Sequence, residues 1–186
     1  REQLAILARD LLGRHPHSPV VFTVSNSSIL DTEITHLGGK PIMCKVGHSF
    51  VEHAMREHGA KLGGEQSGHF FCEEDYYGFD DALVATLRIV SIFAGNEASR
   101  TNEQTSKRKM FSALFEAFPK VYQAHERRPH CSDERKGKVI QAISNHFSLQ
   151  YPVNTLDGVR IDFGAGAWAG IRQSNTSPCI SICIEA

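Results

Sequence analysis

The run Gly63-Gly64-Glu65-Gln66-Ser67-Gly68-His69-Phe70-Phe71 carries the densest chemistry in the chain, with a carboxylate, a hydroxyl and an imidazole set between glycines. Glycine lets a backbone turn sharply and approach a ligand closely. An ionised carboxylate accepts hydrogen bonds from two adjacent hydroxyls, serine donates or accepts one more, and histidine binds an anion or moves a proton near neutral pH. Glu65, Ser67 and His69 therefore read as a loop for a polar, polyhydroxylated ligand. A second motif, Arg172-Gln173-Ser174-Asn175-Thr176-Ser177-Pro178, lies between two apolar strands. Arginine offers a planar fork of donors and Ser174, Asn175 and Thr176 add more, so one tight turn can face an anion such as phosphate. Ser, Asn and Pro also populate plain hairpin turns for backbone reasons, and composition leaves both readings open.

These motifs need elements to hold them. Leu4, Leu7, Ala8, Leu11 and Leu12 recur at helical spacing. After a break at 16–19, residues 20–24 read as a strand buried on both faces. The polar cluster Ser25-Asn26-Ser27-Ser28 caps a helix over 29–37, which Gly38-Gly39 ends. A strand over 41–45, the loop Val46-Gly47-His48, a helix over 49–58 closed by Gly59 and a strand over 61–64 follow. Strand, helix, strand, helix, strand implies parallel strands with right-handed crossovers, and ligands bind such sheets outside the carboxyl ends of the strands. The loops 25–28, 45–48 and 65–69 are expected to converge there, bringing Lys45 and His48 toward Glu65.

Further on, Phe70-Phe71 makes a short strand, and 79–94 reads as a helix with Leu83, Leu87 and Val90 on one face. Asp80 and Asp81 sit at its start, where carboxylates favour the dipole. Residues 95–109 read as a linker or mobile insertion, and a short helix over 110–118 precedes a domain boundary. A helix over 134–146 and strands over 157–163, 167–171 and 179–185 complete the chain. The fold class expected is an α/β three-layer domain with a mostly parallel sheet over 1–117, followed by a small α+β domain with an antiparallel sheet over 118–186.

The balance of 20 Lys and Arg against 21 Asp and Glu gives no global field favouring nucleic acid or an anionic membrane, so any anion site must be local. No apolar run approaches the roughly 18 residues needed to span a bilayer. Cys44, Cys72, Cys131, Cys179 and Cys183 form no paired framework and point to a reducing cytoplasm. A zinc site built on His130 and Cys131 lacks the usual ligand spacing, and no metal site is expected. His125, His130 and His146 read as surface or structural. An abrupt apolar helix at the start and a strand running almost to the last residue are the marks expected of a piece of a longer protein.

Five motifs in order, Lys45-Val46-Gly47-His48-Ser49, Gly64-Glu65-Gln66-Ser67-Gly68-His69, Gly78-Phe79-Asp80-Asp81, Asp157-Gly158-Val159-Arg160 and Arg172 to Pro178, resemble those of the α-D-phosphohexomutases. The pattern is most similar to the bacterial phosphomannomutase/phosphoglucomutase group, and it matches the third and fourth of that family's four domains. The resemblance implies that Glu65 and Ser67 bind sugar hydroxyls, that Lys45 and His48 contact substrate, and that His69 binds substrate or assists proton transfer. It implies that Arg172, Ser174, Asn175 and Thr176 hold the non-reacting phosphate of a mannose or glucose 1- or 6-phosphate. Such enzymes work through a phosphoserine and a hexose 1,6-bisphosphate, commonly with Mg2+. The serine nucleophile loop and the aspartate-rich metal loop do not occur in this sequence, so Mg2+ is expected in an absent second domain and the missing first and second domains are expected partners. The alternative is a non-catalytic module that binds sugar phosphates.

Overall fold

The apolar period of the first residues is realised in α1 (Glu2–Arg14), where Leu4, Ala5, Leu7, Ala8, Leu11 and Leu12 are all buried. The computed structural model describes residues 2–98, 111–116 and 118–186. The chain divides into two units, Arg1–Met43 with Gly47–Pro119, and Cys44–Val46 with Lys120–Ala186.

The first unit holds β1 (Pro19–Thr23), α2 (Ser28–His36), β2 (Lys40–Cys44), α3 (His48–His58), β3 (Leu62–Gly64), β4 (Phe70–Cys72) and α4 (Ala82–Ala98), in a sheet of order β2-β1-β3-β4. β1 and β3 run parallel, Val21 opposite Gly63, and β4 turns back antiparallel on β3. Two glycines show how the layers form. A Cβ on Gly63 would lie 2.7 Å from Met55 Sδ of α3, and one on Gly64 would lie 2.9 Å from Leu4 Cδ1 of α1. Successive strand residues face opposite sides, so bare backbone at both positions lets α3 and α1 close on the sheet from its two faces.

The cluster 25–28 turns inward. Asn26 and Ser27 are buried, Asn26 Oδ1 accepts from Thr23 N (2.9 Å) and Thr23 Oγ1 (2.8 Å), and Ser27 Oγ accepts from Ile29 N at the start of α2. Two of its four side chains are thus consumed in closing the strand and capping the helix, and they do not face a ligand.

α4 begins three residues later than the periodicity predicts and runs to Ala98, so 95–98 belong to a helix, while 99–109 of the expected linker lie outside the described residues. A short 3-10 turn spans Phe111–Leu114. Leu83, Leu87 and Val90 are 76%, 65% and 54% exposed, and α4 rests on its Ala85 and Arg88 side instead. Glu74 joins that side to α1. Its carboxylate accepts from Arg14, from His15 Nε2 (2.5 Å) and from Arg88 Nη1 (3.1 Å). The Arg14 bond, helped by His15, holds the Glu74 carboxyl at about 2, while partial burial opposes the shift.

The second unit is an antiparallel sheet of order β5-β6-β7-β8, formed by Val153–Asn154, Val159–Gly164, Ala167–Gln173 and Ile180–Glu185, with α5 (Asp133–Phe147) packed on β6 and β7. Ile140, Val159, Ile161, Ala169, Ile171 and Ile180 make its core. The other face is also partly closed. Trp168 donates to the buried Glu185 carboxylate at 2.9 Å, and the Arg160 guanidinium stacks on the Trp168 ring at 3.7 Å. β5 and the segment before α5 are absent from the sequence reading. That segment lies along β8, with single antiparallel bridges joining Gln123 to Glu185, Arg127 to Ile182 and His130 to Cys179.

Candidate functional site

The 65–69 loop is the connection of the β3–β4 hairpin, and it closes on itself. Glu65 N donates to His69 O (2.9 Å), Gly68 N donates to Glu65 O (3.2 Å), and Gly68 takes a φ of 94°. The left-handed backbone suits glycine. The turn sinks the Glu65 side chain to 6% exposure while Ser67, Gly68 and His69 stay at the surface. Burial pushes the Glu65 carboxyl up, and His69, the backbone N–H of Gly47 and His48 pull the other way. Gly47, at a φ of 133°, is the N-cap of α3 and has no side chain with which to cap it. Sequence reasoning singled out His48 here. The structure adds the backbone N–H of Gly47 as the group that hydrogen-bonds Glu65.

His69 Nδ1 lies 2.6 Å from Asp80 Oδ2. Backbone contacts place Asp80 there, since Asp80 bridges Phe71 and Asp81 N donates to Phe70 O at 3.1 Å. The two aspartates read together in the sequence have separate tasks. Asp81 Oδ1 accepts from Leu83 N (2.8 Å) and Val84 N (3.1 Å) and caps α4, whereas Asp80 serves His69. A carboxylate on Nδ1 fixes the tautomer and leaves Nε2 as the ring atom that can meet a ligand. The structure thus gathers His69, His48 and the Gly47 N–H around Glu65, with Asp80 behind His69. Lys45, just after β2, is exposed.

The 172–178 loop connects β7 to β8. Ser174 N donates to Cys179 O (3.1 Å), Cys179 N to Ser177 O (2.8 Å), and Thr176 N meets Ser174 Oγ at 3.4 Å. Asn175 and Thr176 are exposed. Arg172 Nη1 reaches only the neighbouring carbonyl of Gln173 (3.3 Å), and its buried Nε has no partner among the described residues. A guanidinium N–H left unmatched is costly unless an acceptor arrives. Gly158 presses on the root of this loop. It takes a φ of 77°, and a Cβ there would lie 2.2 Å from Ile171 O and 2.7 Å from Arg172 Cα. Beneath the loop, Lys136 Nζ donates to Ser174 O (2.9 Å) and Ser177 O (2.6 Å). Neither Lys136 nor Gly158 was singled out as a site residue. Their link to the loop spans a separation of 38 residues for Lys136 and Ser174, beyond any local pattern.

Burial raises the thiols of Cys72 and Cys183, and none of the five cysteines is in a disulfide among the described residues. Among the described residues no group of three or more His, Cys, Asp or Glu could hold a metal ion, and no helix is long and apolar enough to cross a membrane.

Residues 1–121 match the family model described as phosphoglucomutase/phosphomannomutase, alpha/beta/alpha domain III. The chain is 34% identical over 184 residues to the phosphomannomutase/phosphoglucomutase of Pseudomonas putida, covering 98% of this chain and 37% of that protein. It is 34% identical over 185 residues to the phosphoglucomutase of Neisseria meningitidis, covering 99% of this chain and 38% of the relative. A crystal structure of a phosphoglucomutase/phosphomannomutase family protein from Burkholderia thailandensis superposes with a TM-score of 0.83 at 30% identity, over 100% of this chain and 37% of that one. This chain spans well under half the length of these relatives. With the family model covering most of its residues and the hairpin loops built as described, the chain belongs to the phosphoglucomutase/phosphomannomutase family of α-D-phosphohexomutases.

Proposed function

We propose that this chain is the substrate-recognition portion of a phosphohexomutase that interconverts hexose 1-phosphate and hexose 6-phosphate. The 65–69 loop binds the sugar, Glu65 and Ser67 taking adjacent ring hydroxyls, with Lys45 and His48 as further substrate contacts. His69, held by Asp80, binds substrate or moves a proton through Nε2. Arg172, Ser174, Asn175 and Thr176 take the phosphate that is not reacting. The phosphoserine, and Mg2+ with it, belong to domains outside this sequence, and a hexose 1,6-bisphosphate passes between the half-reactions. Because that intermediate must bind in two orientations, recognition rests on what both share, namely the hydroxyls and a distal phosphate.

The observation that carries this reading is Glu65, a carboxylate buried at a hairpin turn with a backbone N–H and two histidines as its company. A carboxylate kept ionised against burial is costly to hold unless ligand donors complete its bonds. In the full-length protein, Glu65→Ala and Ser67→Ala are expected to lower kcat/KM for glucose 1-phosphate and mannose 1-phosphate at least about tenfold each. Unchanged values for both variants would sink the proposal. Mutase activity in the isolated 186-residue chain would overturn the placement of the nucleophile outside it.

A further inference from the structure

Lys136 stands apart from every role assigned so far. It lies in the first turn of α5, is 4% exposed, and places its ammonium under the 172–178 loop. An ammonium has three N–H donors and no acceptor. It donates to Ser174 O at 2.9 Å and Ser177 O at 2.6 Å, and it pairs with Asp133 Oδ1 at 2.6 Å. The two carbonyls it binds bracket Asn175 and Thr176, which are exposed at the tip of the loop. A carbonyl turned down to the ammonium directs the opposite edge of its peptide away from it, because the two groups of a planar peptide point in opposite directions.

We propose that Lys136 is the positioning residue of the anion loop. It pins the carbonyls of Ser174 and Ser177 to the protein interior, so that the Ser174 peptide turns the Asn175 N–H outward and the tip at Asn175 and Thr176 is held at the surface, and it lends its positive charge to the same spot. The proposal rests on the phosphate reading of the 172–176 loop for its anion half, and on geometry alone for its clamp half. Asp133 moderates the charge. Its side chain is 81% exposed, while that of Lys136 is 5% exposed, so the carboxylate sits at the solvent end of the pair and offsets part of the field that a bound anion would feel.

The test uses the 186-residue chain, backbone amide spectra and two probes, inorganic phosphate and glucose 6-phosphate. Without ligand, Lys136→Met is expected to shift the amide signals of residues 174–177 and speed their hydrogen exchange at least tenfold, while those of α5 and β6 keep their protection. With ligand, the same variant is expected to raise Kd at least tenfold. Asp133→Asn, an exposed change, covers the case in which Lys136→Met does not fold. It is expected to lower Kd about two- to fivefold at low salt and to lose that gain at high salt. A purely structural lysine would leave Kd unmoved in Asp133→Asn, and that result would overturn the charge half. Unchanged 174–177 amides in folded Lys136→Met would overturn the clamp. A wild-type chain in which neither probe moves the signals of Arg172, Ser174, Asn175 and Thr176 would overturn the phosphate reading and the anion half with it, and the ligand-free exchange data would still decide the clamp.

Discussion

At the scale of single residues, the buried Glu65 carboxyl carries a cost in stability. Its carboxyl is raised above the ordinary 4.5 by burial, so the folded chain binds a proton more readily than the unfolded one in the interval above that value. Stability is therefore eroded as pH rises through that interval. Glu65→Gln keeps an oxygen for the Gly47 N–H and discards the charge. Denaturant unfolding at pH 7.5 is expected to find it about 1 kcal/mol more stable than wild type, with the gap closing below pH 4.5. A gap that stayed open in acid would refute the account.

Asp80 gives a second test. His69 and Asp80 side chains are 53% and 32% exposed, so their ion pair adds little to stability. Asp80→Ala is expected to change unfolding free energy by less than about 0.5 kcal/mol yet to release the Nδ1–H tautomer of neutral His69, read from imidazole nitrogen shifts. The same tautomer in both proteins would remove Asp80 from its role. Glu65, Ser67, His69 and Arg172 were legible because carboxylate, hydroxyl, imidazole and guanidinium between turn residues announce their chemistry locally. The Gly47 N–H, Asp80 and Lys136 were not. Each acts through a contact that exists only once a helix start, a β-bridge or a hairpin loop has been brought beside it.

At the scale of elements, two glycines in one fold have opposite meanings. Gly63→Ala must displace Met55 and Val51, whose atoms lie 2.7 and 2.8 Å from the new methyl, and is expected to cost about 1–3 kcal/mol. Gly137→Ala, inside α5 with nothing within 4 Å, is expected to gain about 1 kcal/mol. Thermal melts of the two variants that moved in the same direction would contradict this packing argument.

Glu74 makes the clearest acid-sensitive element contact. Its carboxyl, ordinarily near 4.5, is held at about 2 by Arg14, so its contribution is fully present above pH 4.5 and drains away as pH falls toward 2. Glu74→Gln is expected to cost about 2–3 kcal/mol at pH 7, with the two unfolding curves converging near pH 2. Periodicity announced α1, β1 and α3 because each has a single apolar face or run to bury. It announced α4 as well, yet there Leu83, Leu87 and Val90 form a helical stripe that faces outward. A period shows that a helix has two faces. Which one is covered depends on partners that no local pattern contains, and here the covered side is fixed by Ala85 and by Arg88 reaching Glu74.

At the scale of the molecule, charge is close to balanced, with a formal value of −1 and an isoelectric point of about 6.9. Near-zero charge favours self-association, and the exposed α4 stripe adds apolar surface. Solubility of the isolated chain, followed by light scattering across pH, is expected to pass through its minimum near 6.9. Leu87→Lys is expected to lift that minimum.

The second unit shows how a small sheet is finished at both sides. β5 is two residues long and follows Pro152, while β8 is six residues long and is accompanied by the 120–131 segment through the bridges at 123, 127 and 130. No element is read in that segment from the sequence, yet Tyr122, Ala124, Arg127 and Cys131 each donate a backbone N–H to a carbonyl at or beside β8. An unpaired, flat, apolar strand edge templates addition of strands from other copies. The accompanying segment therefore acts as a guard against fibre growth: a version of this unit starting at residue 132 would present the Ile180, Ile182 and Ile184 backbone as an open template for cross-β stacking.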